Sequence, residues 1–509
     1  MPYLLGLDIG TSGAKALLCN EDGRVLATAT SEYGLSAPHP LWSEQDPLDW
    51  WRGAQEALRD VFKEASVDTA QIVGLGLTGQ MHGATFLGND GDIIRPALLW
   101  NDQRTAAECD EMTLRVGAPR LIEIAGNPAL TGFQAPKILW LRNHEPDNFA
   151  RVTQVLLPKD YIRLKLTGVS ATDAADAAGT LLLDLHKRDW SNEILTALDI
   201  PHDWLPKVYE GPQVTGSLLE DVADVLGLPS GTPVIAGGGD NATAAIGTGI
   251  VKPGVLSSSI GTSGVLFAHA DNAAFDPQGR LHSFCHSVPN QYHLMAVTLA
   301  AGGSLRWMRD ILRESDSGTH ELSYNEMAVA AEMVPPGSEG LLFLPYLTGE
   351  RTPHLDPLAR GAFVGLTTRH GAAHMIRAVM EGVVFSLRDG LTIMRELGIA
   401  ADEICATGGG ARSPLWRQMQ ADIYGTSVVT LVAEEGPAYG AALLAGIGAG
   451  LFADVPDAVN KCVQVAQVTE PNPEAQEKYN YNYAVYRDMY SNLRDGMHRL
   501  SNATKTKLV

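Results

Sequence analysis

Cysteine is scarce in this sequence and shows no metal-site or disulfide spacing. Five cysteines occur in 509 residues, widely scattered and without a Cys-x-x-Cys pair: Cys19, Cys109, Cys285, Cys405 and Cys462. An odd, scattered set suits neither a zinc site nor a disulfide framework. We therefore expect a reducing compartment, the cytoplasm.

Long hydrophobic segments are lacking as well. No apolar run of about 18 residues is present, the length that a membrane-spanning helix needs. No basic-then-apolar secretion signal precedes Tyr3. These absences argue against a membrane partner and support the cytoplasmic expectation.

Basic residues are outnumbered by acidic ones. Lysine plus arginine total 38 and aspartate plus glutamate 59, which gives a net charge of -21. This negative charge disfavours nucleic acid or an anionic membrane as the main partner. With 45% apolar and 19% charged residues, the composition otherwise fits a soluble protein of two or three domains. A bound nucleotide would need backbone amides, a metal and a few cations to offset its charge.

One segment of the chain occurs twice. Residues 6–13 read Gly-Leu-Asp-Ile-Gly-Thr-Ser-Gly, and residues 257–264 read Ser-Ser-Ser-Ile-Gly-Thr-Ser-Gly. In each copy an apolar run stops at Gly-Thr-Ser-Gly and then resumes, which predicts a β-hairpin. Glycine lets the backbone approach a phosphate, and free N–H groups with Thr and Ser hydroxyls can donate to its oxygens. A single hairpin is equally well explained as a tight turn, whereas two facing hairpins predict a triphosphate site.

The two copies differ at Asp8, whose counterpart is Ser259. If the hairpin needed an acid in order to fold, the second copy would be expected to keep one. We therefore interpret Asp8 as a carboxylate of the metal or phosphate site that binds Mg²⁺ through water. Such a carboxylate would help to neutralise charge during phosphoryl transfer.

The first half of the chain alternates between short apolar strands and helical segments. This alternation predicts an α/β fold. A helix over 46–65 opens with Asp46 and Pro47, which are typical of a helix N-terminus. The clearest strands are predicted at residues 3–8, 72–77 and 234–236.

A stretch that contains proline and glycine, residues 251–254, precedes the second copy of the repeat. We predict an N-terminal domain at 1–245, a C-terminal domain at 246–450 and a helical tail at 451–509. The apolar periodicity of 371–397 predicts a long core helix in the second domain.

The tail carries a row of aromatic residues. Tyr479, Tyr483, Tyr486, Tyr490 and Leu493 follow one another at steps of four and three, so they share one face of a helix. Such a stripe is more often a packing surface than a ligand site. It could dock on the N-terminal domain or contact a second copy of the chain, which makes a homodimer one predicted assembly.

Asp240 follows a predicted strand and three glycines, and it opens a predicted helix. Ligands of open α/β sheets collect at the carboxyl ends of strands, and glycines make room for them. Asp240 could merely cap its helix, yet a cap does not need three preceding glycines. We expect it to be ionised, with an ordinary pKa near 4, and to accept a proton from a substrate hydroxyl that attacks the γ-phosphoryl group.

Gln80, Met81 and His82 form a glycine-flanked turn after another predicted strand. Gln80 and His82 could hydrogen-bond to hydroxyls, and Met81 could supply an apolar wall. A lone histidine is usually structural. The polar residues 100–104 follow a further strand and are expected in or beside the same pocket, although Trp100 is equally well explained as core.

Two further glycine turns open helices, at residues 302–303 and 408–410. Helix N-termini of this kind suit contacts with phosphate or adenine. Neither turn specifies a nucleotide by itself. The prediction of a nucleotide site therefore depends on the occurrence of these turns together with the two hairpins.

The order of these motifs resembles the FGGY carbohydrate kinases, which have an actin-like ATPase fold. The resemblance covers about residues 3 to 450 and rests on the motifs at 8–12, 79–83, 100–104, 237–241, 261–264, 349–353 and 408–411. It implies two actin-like (ribonuclease H-like) α/β domains that flank a deep cleft. It also implies ATP and Mg²⁺ as partners and a small sugar, expected to be D-xylulose, as the phosphoryl acceptor.

The resemblance assigns roles to individual residues. Asp240 is implied as the general base, with Asp8 as the second catalytic acid. Met81, His82 and Asn241 are implied to contact the sugar, beside Gln80. The nucleotide site is implied to use Thr11, Ser12, Lys15, Gly261 and Thr262 near the phosphates, with Gly302, Gly409 and Ser413 near the adenosine.

Two other functions stay open at this point. One is an FGGY kinase for another ketose or a polyol, because such substrates differ by a single hydroxyl or its configuration. The turn at 80–82 departs from the Arg-Glu pair of glycerol kinases. The other is a non-catalytic nucleotide switch, since actin-like folds also serve as filaments and chaperones.

Overall fold

The computed structural model describes residues 1–315, 322–433 and 435–505. Strands and helices alternate along most of the chain, and each half builds one large sheet. The predicted α/β class is confirmed.

In the first half, strands β1 to β14 are, in chain order, Tyr3–Ile9, Gly13–Asn20, Val25–Glu32, Glu44–Gln45, Ile72–Gly79, Thr85–Leu87, Ala97–Leu98, Gln154–Leu156, Ala171–Asp173, Leu183–Asp184, Asp189–Trp190, Lys207–Tyr209, Val214–Ser217 and Pro233–Gly239. Helices α1 to α10 are Pro47–Ala65, Ala106–Val116, Ala118–Ala125, Gln134–His144, Pro146–Phe149, Pro158–Thr167, Ala174–Ala178, Asn192–Leu198, Glu220–Leu226 and Asp240–Gly247.

In the second half, strands β15 to β23 are Gly254–Ile260, Gly264–Ala270, His282–Cys285, Tyr292–Thr298, Leu342–Leu344, Ala362–Val364, Ala401–Gly408, Ser427–Leu431 and Val465–Thr469. Helices α11 to α18 are Gly302–Ser315, Tyr324–Glu332, Ala372–Glu396, Gly409–Arg412, Pro414–Tyr424, Gly436–Gly448, Val455–Cys462 and Pro473–Lys505. Short 3-10 turns lie at Thr69–Gln71, His202–Trp204 and Ser338–Gly340.

The two large sheets share one central arrangement. The first has the order β13-β14-β5-β1-β2-β3, and the second β17-β18-β16-β15-β21-β22-β23. In the first, β1 is antiparallel to β2 and parallel to β5, which is parallel to β14. In the second, β15 is antiparallel to β16 and parallel to β21, which is parallel to β22. The sequence repeat therefore corresponds to a repeat in three dimensions, as expected of a duplicated actin-like fold.

Both predicted hairpins are present. Asp8 in β1 pairs with Lys15 in β2, and Ser259 in β15 pairs with Val265 in β16. The predicted strands are present but longer than predicted. Strands β5 and β14 include the glycines that follow their apolar residues, and Gly239 of β14 pairs with Gly79 of β5. Glycine does not end these strands, since a parallel neighbour on the sheet supplies hydrogen-bond partners for its backbone.

The predicted helices also form. The Asp46 side chain accepts a hydrogen bond from the Leu48 N–H at the start of α1, as expected of an N-cap. Helix α13, Ala372–Glu396, is the long core helix, and most of its residues are buried. Helix α10 begins at Asp240, so that carboxyl stands where a parallel strand meets a helix.

Helix α16 comes from the second half of the sequence but packs on the sheet of the first. A Cβ on Gly6 in β1 would lie 1.9 Å from the Ala438 carbonyl oxygen, and a Cβ on Gly76 in β5 would lie 1.9 Å from that of Ala441. Only glycine permits this approach of helix and sheet. Helix α16 thus joins the two halves directly.

The C-terminal segment is not a separate tail. Val455, Ala458 and Cys462 of α17 pack in a cluster with Leu4, Leu17 and Cys19 of the first half, whereas the rest joins the second half. Residues Val465–Thr469 form the edge strand β23 of the second sheet. In α18, Tyr479, Tyr483 and Tyr486 are buried in the second half's hydrophobic core. The suggested docking of this face on the N-terminal domain is wrong, because its partners, such as Arg377 on α13, lie in the second half. Within the three described ranges, no helix has the length and apolarity needed to cross a membrane.

Candidate active site

The first hairpin turn is held by its carbonyl oxygens. The Gly10 carbonyl accepts from the Tyr33 hydroxyl at 2.7 Å, and the Ser12 carbonyl accepts from the Tyr33 N–H at 3.1 Å. The Gln45 side chain donates to the Thr11 carbonyl at 2.7 Å. Among the described residues, the N–H groups of Thr11 and Ser12 have no protein acceptor. These two donors are available to an anion.

The second hairpin turn repeats this arrangement at the N-terminus of α11. The Gly261 carbonyl accepts from the Gly302 N–H at 2.7 Å, and the Thr262 carbonyl accepts from the N–H groups of Ala301 and Gly303. Across the described ranges, the N–H of Thr262 again has no protein acceptor. In both turns, therefore, the carbonyl oxygens accept hydrogen bonds from the rest of the protein, and the N–H groups are left for a ligand.

Asp8 and Asp240 lie close together at the carboxyl ends of β1 and β14. Burial, followed by the negative charge of Asp240, raises the pKa of Asp8 to about 7, and Lys15 opposes this shift. Burial also raises the pKa of Asp240 to about 6, against hydrogen bonds from Asn241. The expectation of an ordinary value near 4 for Asp240 is therefore wrong, because burial disfavours the ionised form.

The Asp8 carboxyl has the properties expected of a metal-site ligand. Its Oδ1 atom is buried and makes no hydrogen bond to the protein. Over the described ranges, no cluster of three or more His, Cys, Asp or Glu side chains could hold a metal by itself. The unpartnered Oδ1 atom fits a Mg²⁺ ion held mainly by water and phosphate oxygens, the usual mode for this ion, with Asp8 as a protein contact.

Lys15 reaches across to the second half. Its ammonium group pairs with the carboxylate of Glu435, directly before α16. Lys15 also lies opposite Asp8 in the hairpin register. Lys15, which was predicted to lie near the phosphates, is thus on the first hairpin, but its ammonium group is paired with a carboxylate.

A cavity of about 430 Å³ opens between the two halves beside Asp240. The structure brings together in its wall four of the residues predicted to touch the sugar: Met81, His82, Asp240 and Asn241. Gln80 lies behind the wall instead. It is buried, accepts a hydrogen bond from the Thr11 hydroxyl at 3.2 Å and donates to Gln45 at 3.1 Å. Gln80 therefore braces the first hairpin.

His82 is held as a neutral imidazole. Its Nδ1 lies 2.6 Å from the Gly179 carbonyl, which can only accept, so Nδ1 carries the proton. Burial lowers the pKa of His82 to about 3, partly offset by this hydrogen bond. Nε2 remains a hydrogen-bond acceptor. The buried ammonium group of Lys137 donates to the His82 carbonyl at 2.9 Å and supports the turn, where His82 has a φ of 67°.

The segment 100–104 divides between cavity and scaffold. Trp100 is 47% exposed and donates from its indole N–H to the Thr11 hydroxyl at 2.9 Å, so its interpretation as core is wrong. Asn101 and Gln103 line the cavity. Asp102 and Arg104 form a buried ion pair.

The predicted adenosine residues gather around the end of β15. A Cβ on Gly302 would lie 2.5 Å from the Gly261 carbonyl oxygen, and Gly409 lies close to the carbonyl of Ile260. Ser413 follows α14, and its hydroxyl accepts from the Trp416 N–H as the cap of α15. Of the three predicted adenosine residues, Gly302 and Gly409 thus lie beside the end of β15, and Ser413 lies at the start of the next helix.

Sequence reasoning missed much of the wall that the second half contributes. Ser263, His282, Phe284 and Arg351 line the cavity opposite His82 and Asp240. His282 and Phe284 lie in β17, which has no glycine turn to mark it. Arg351 lies in the 349–353 motif, which contributed to the family resemblance, but no role was assigned to its residues.

The chain is similar to known carbohydrate kinases. Two models of the FGGY family of carbohydrate kinases match the chain, the N-terminal domain at residues 3–247 and the C-terminal domain at 256–449. The chain is 45% identical over 446 residues to the xylulose kinase of Escherichia coli (strain K12), which covers 87% of this chain and 90% of that protein.

Solved structures show the same fold over nearly the whole length. The xylulose kinase from Rhodospirillum rubrum has a TM-score of 0.91 and 30% identity, and the match covers 97% of this chain and 100% of that chain. The gluconate kinase from Lactobacillus acidophilus also has a TM-score of 0.91, with 29% identity and 97% and 98% coverage. Carbohydrate kinases transfer a phosphoryl group from ATP to a sugar. With both family models matched, the chain belongs to the FGGY family of carbohydrate kinases.

Proposed function

We propose that this enzyme phosphorylates D-xylulose with Mg-ATP to give D-xylulose 5-phosphate and ADP. The observation that carries the proposal is the position of Asp240, which lines the cavity beside Met81 and His82 and lies next to Asp8 and the hairpins. The similarity to xylulose kinases supports the choice of sugar. The equal structural similarity to a gluconate kinase means that the fold alone does not select it.

Asp240 acts as the general base for the terminal hydroxyl of the sugar. Its Oδ1 accepts from the Asn241 N–H at 2.7 Å and from the Asn241 side-chain amide at 2.8 Å. These bonds orient the carboxylate and leave Oδ2 for the substrate hydroxyl. Phosphoryl transfer has a loose transition state, so alignment of the oxygen with the phosphorus matters more than a strong base.

The two hairpins hold the phosphates from opposite sides. The N–H groups of Thr11, Ser12 and Thr262 and the hydroxyls of Ser12 and Thr262, with Gly261 giving backbone room, stabilise the developing charge on the phosphoryl oxygens. Asp8 would hold Mg²⁺ through the water shell of the ion, which would supply charge neutralisation at the phosphates. On ATP binding, we expect Lys15 to exchange Glu435 for a phosphate. Gly302, Gly409 and Ser413 form the adenosine side of the site.

Neutral His82 accepts a hydrogen bond from a sugar hydroxyl through Nε2, and Met81 packs against the carbon chain. Asn241 donates to a second hydroxyl when its amide is not shared with Asp240. The cavity lies between the halves, so a closing movement would remove water from it. Exclusion of water prevents hydrolysis of ATP in place of transfer to the sugar.

The decisive experiment is ADP release from Mg-ATP with no acceptor, D-xylulose, D-ribulose, glycerol or D-arabitol. We expect strong stimulation by D-xylulose and the highest kcat/KM for it. A higher kcat/KM for another compound would keep the mechanism and replace the substrate. Nucleotide binding without stimulation by any acceptor would instead indicate a nucleotide switch.

We place the enzyme in the cytoplasm and treat a homodimer as a separate proposal. All five cysteines are buried and free, which supports a reducing compartment. The tyrosine face of α18 gives no support for the dimer, because Tyr479, Tyr483 and Tyr486 are buried within the chain. Light scattering with size-exclusion chromatography would measure the assembly directly.

A further inference from the structure

Arg351 brings a cationic group into the cavity wall without a carboxylate partner. The neighbouring Glu350 carboxylate is already used: it accepts from the hydroxyls of Thr298 and Ser386 and from the N–H groups of Leu299 and Arg351. Across the described ranges, the side-chain hydrogen bond of Arg351 is to a neutral histidine, His282, at 3.3 Å. Guanidinium donors thus remain available to a ligand in the cavity.

A chain of hydrogen bonds sets the position of this guanidinium. The Asn127 amide nitrogen donates to the carbonyls of Ala125 and Ser283, which leaves its Oδ1 to accept from Nδ1 of His282 at 2.8 Å. His282 therefore presents an unprotonated Nε2, and this atom accepts from Nη1 of Arg351. Burial keeps the pKa of His282 well below its usual value, so the ring stays neutral.

The backbone of Arg351 is also fixed. The Thr352 N–H donates to the Val297 carbonyl at 3.0 Å, and the Thr352 hydroxyl donates to the Arg280 carbonyl at 2.8 Å. A donor that is fixed before the ligand arrives loses little conformational freedom on binding.

The cavity is polarised along its length. Arg351 donates to His282, whose ring stacks on Phe284 with centroids 5.8 Å apart, and Phe284 in turn lies 6.0 Å from the His82 ring. Besides burial, the charge of Arg351 also lowers the pKa of His82, whereas the causes of the raised pKa of Asp240 are burial and, opposing it, the Asn241 hydrogen bonds. Arg351 therefore lies toward the His82 end, away from the carboxyl that receives the proton. A sugar whose terminal hydroxyl meets Asp240 places its opposite end between His82 and Arg351.

We infer that Arg351 is a specificity-determining residue that donates a hydrogen bond to the carbonyl oxygen of a bound ketose. Asn127 and His282 act as its positioning residues. The inference rests on the proposed function, since it assumes a sugar phosphorylated at the end far from its carbonyl.

The donor and acceptor pattern matches an α-hydroxyketone. A ketone oxygen only accepts hydrogen bonds, and arginine only donates them. The adjacent hydroxyl can donate to Nε2 of His82, which only accepts. In a polyol such as D-arabitol, a hydroxyl replaces the carbonyl of D-xylulose and must find a partner for its own hydrogen, which Arg351 does not supply.

The test compares Arg351→Met with the unaltered enzyme on D-xylulose and on D-arabitol, the latter as substrate or, where turnover is slow, as competitive inhibitor. Loss of a hydrogen bond from a charged donor lowers kcat/KM for D-xylulose by between about tenfold and about a hundredfold. We expect the kcat/KM for D-arabitol, or its inhibition constant, to change by less than about threefold, since the lost hydrogen bond is weak with this polyol. Arg369→Met is the matched control, because Arg369 is exposed and outside the cavity.

A general loss of structure would weaken the use of D-xylulose and the use or binding of D-arabitol together, and it would also raise the KM for ATP. Equal losses for ketose and polyol, or no loss with D-xylulose, would overturn the inference. Arg351→Lys supplies a second readout, because it keeps a cationic donor and is expected to recover part of the preference for the ketose. Failure of the unaltered enzyme to use D-xylulose would count against the proposed function instead.

Discussion

The negative charge of Asp240 adds to the burial that raises the pKa of Asp8, and the Asp8 carboxyl reaches about 7. Two carboxyls in this proximity favour a cation between or beside them. The relationship links the acceptor side of the site, where Asp240 meets the substrate, to the nucleotide side, where Asp8 lies on the first hairpin.

Replacing Asp240 should separate binding from catalysis. Asp240→Asn keeps the shape of the side chain but cannot accept the proton, so kcat should fall by about 10²-fold to 10⁴-fold. The affinity for ATP should change little, because the nucleotide contacts lie on the hairpins. Steady-state kinetics and calorimetric titration with an ATP analogue would measure both. Asp90→Asn, at an exposed loop position, is the control, and undiminished turnover in Asp240→Asn would remove this residue from the mechanism.

The pH dependence of kcat/KM for the sugar should follow the raised pKa of Asp240. The base works only when ionised, and burial places its pKa at about 6. The rate should therefore be constant well above pH 7, the raised pKa of Asp8, and fall by at least about tenfold per unit below pH 6, where Asp240 is also protonated. A profile that stays flat down to about pH 4, the usual carboxyl range, would show that Asp240 is not the titrating base.

Asp8 should be tested through its dependence on Mg²⁺. Asp8→Asn removes the charge from the buried side chain, so we expect a higher Mg²⁺ concentration for half-maximal activity and a lower kcat at saturating metal. The mutation also removes the group whose pKa is raised to about 7, which should strengthen the effect at higher pH. An unaltered Mg²⁺ titration would show that Asp8 does not hold the metal. Asp90→Asn serves again as the comparison.

Acid should destabilise the enzyme through its buried histidines. Burial lowers the pKa of His293 to about 3, so the unfolded chain binds a proton below about 6.5 that the folded chain rejects. Stability is therefore lost as the pH falls from about 6.5 to 3, at up to about 1.4 kcal/mol per pH unit for this residue. In His293→Phe, which keeps the stacking on Phe267, urea unfolding should show a shallower decline with acid. An identical slope would exclude His293 as a contributor.

Helix α18 offers a test of its packing. The Tyr479 hydroxyl donates to Glu381 at 2.9 Å and accepts from Arg377 at 2.8 Å, and all three residues are buried. Tyr479→Phe leaves these charged groups short of a partner, and we expect a loss of about 1–3 kcal/mol in unfolding free energy. Tyr481→Phe, at a 74% exposed position on the same helix, should change stability by less than about 0.5 kcal/mol. Equal stability of the two variants in urea would contradict the packing role.

Local patterns carried much of the prediction. The two Gly-Thr-Ser-Gly turns, the position of Asp240 at the start of a helix and the long helix of the second half depend on neighbouring residues, and all are present. The resemblance of the motifs to FGGY kinases was sufficient to predict the family. The resemblance implied that Met81, His82 and Asn241 contact the sugar, and the structure places all three in the wall of one cavity.

The sequence by itself determined the strands, helices and hairpins, because hydrophobic period and glycine chemistry act over a few residues. Only the tertiary structure decided that Gln80 braces a hairpin, that Arg351 and His282 complete the cavity, and that α16 packs on the first sheet. It also decided the raised pKa of Asp240. These properties depend on groups hundreds of residues apart and on the water that folding excludes, and neither is encoded in the residues nearby.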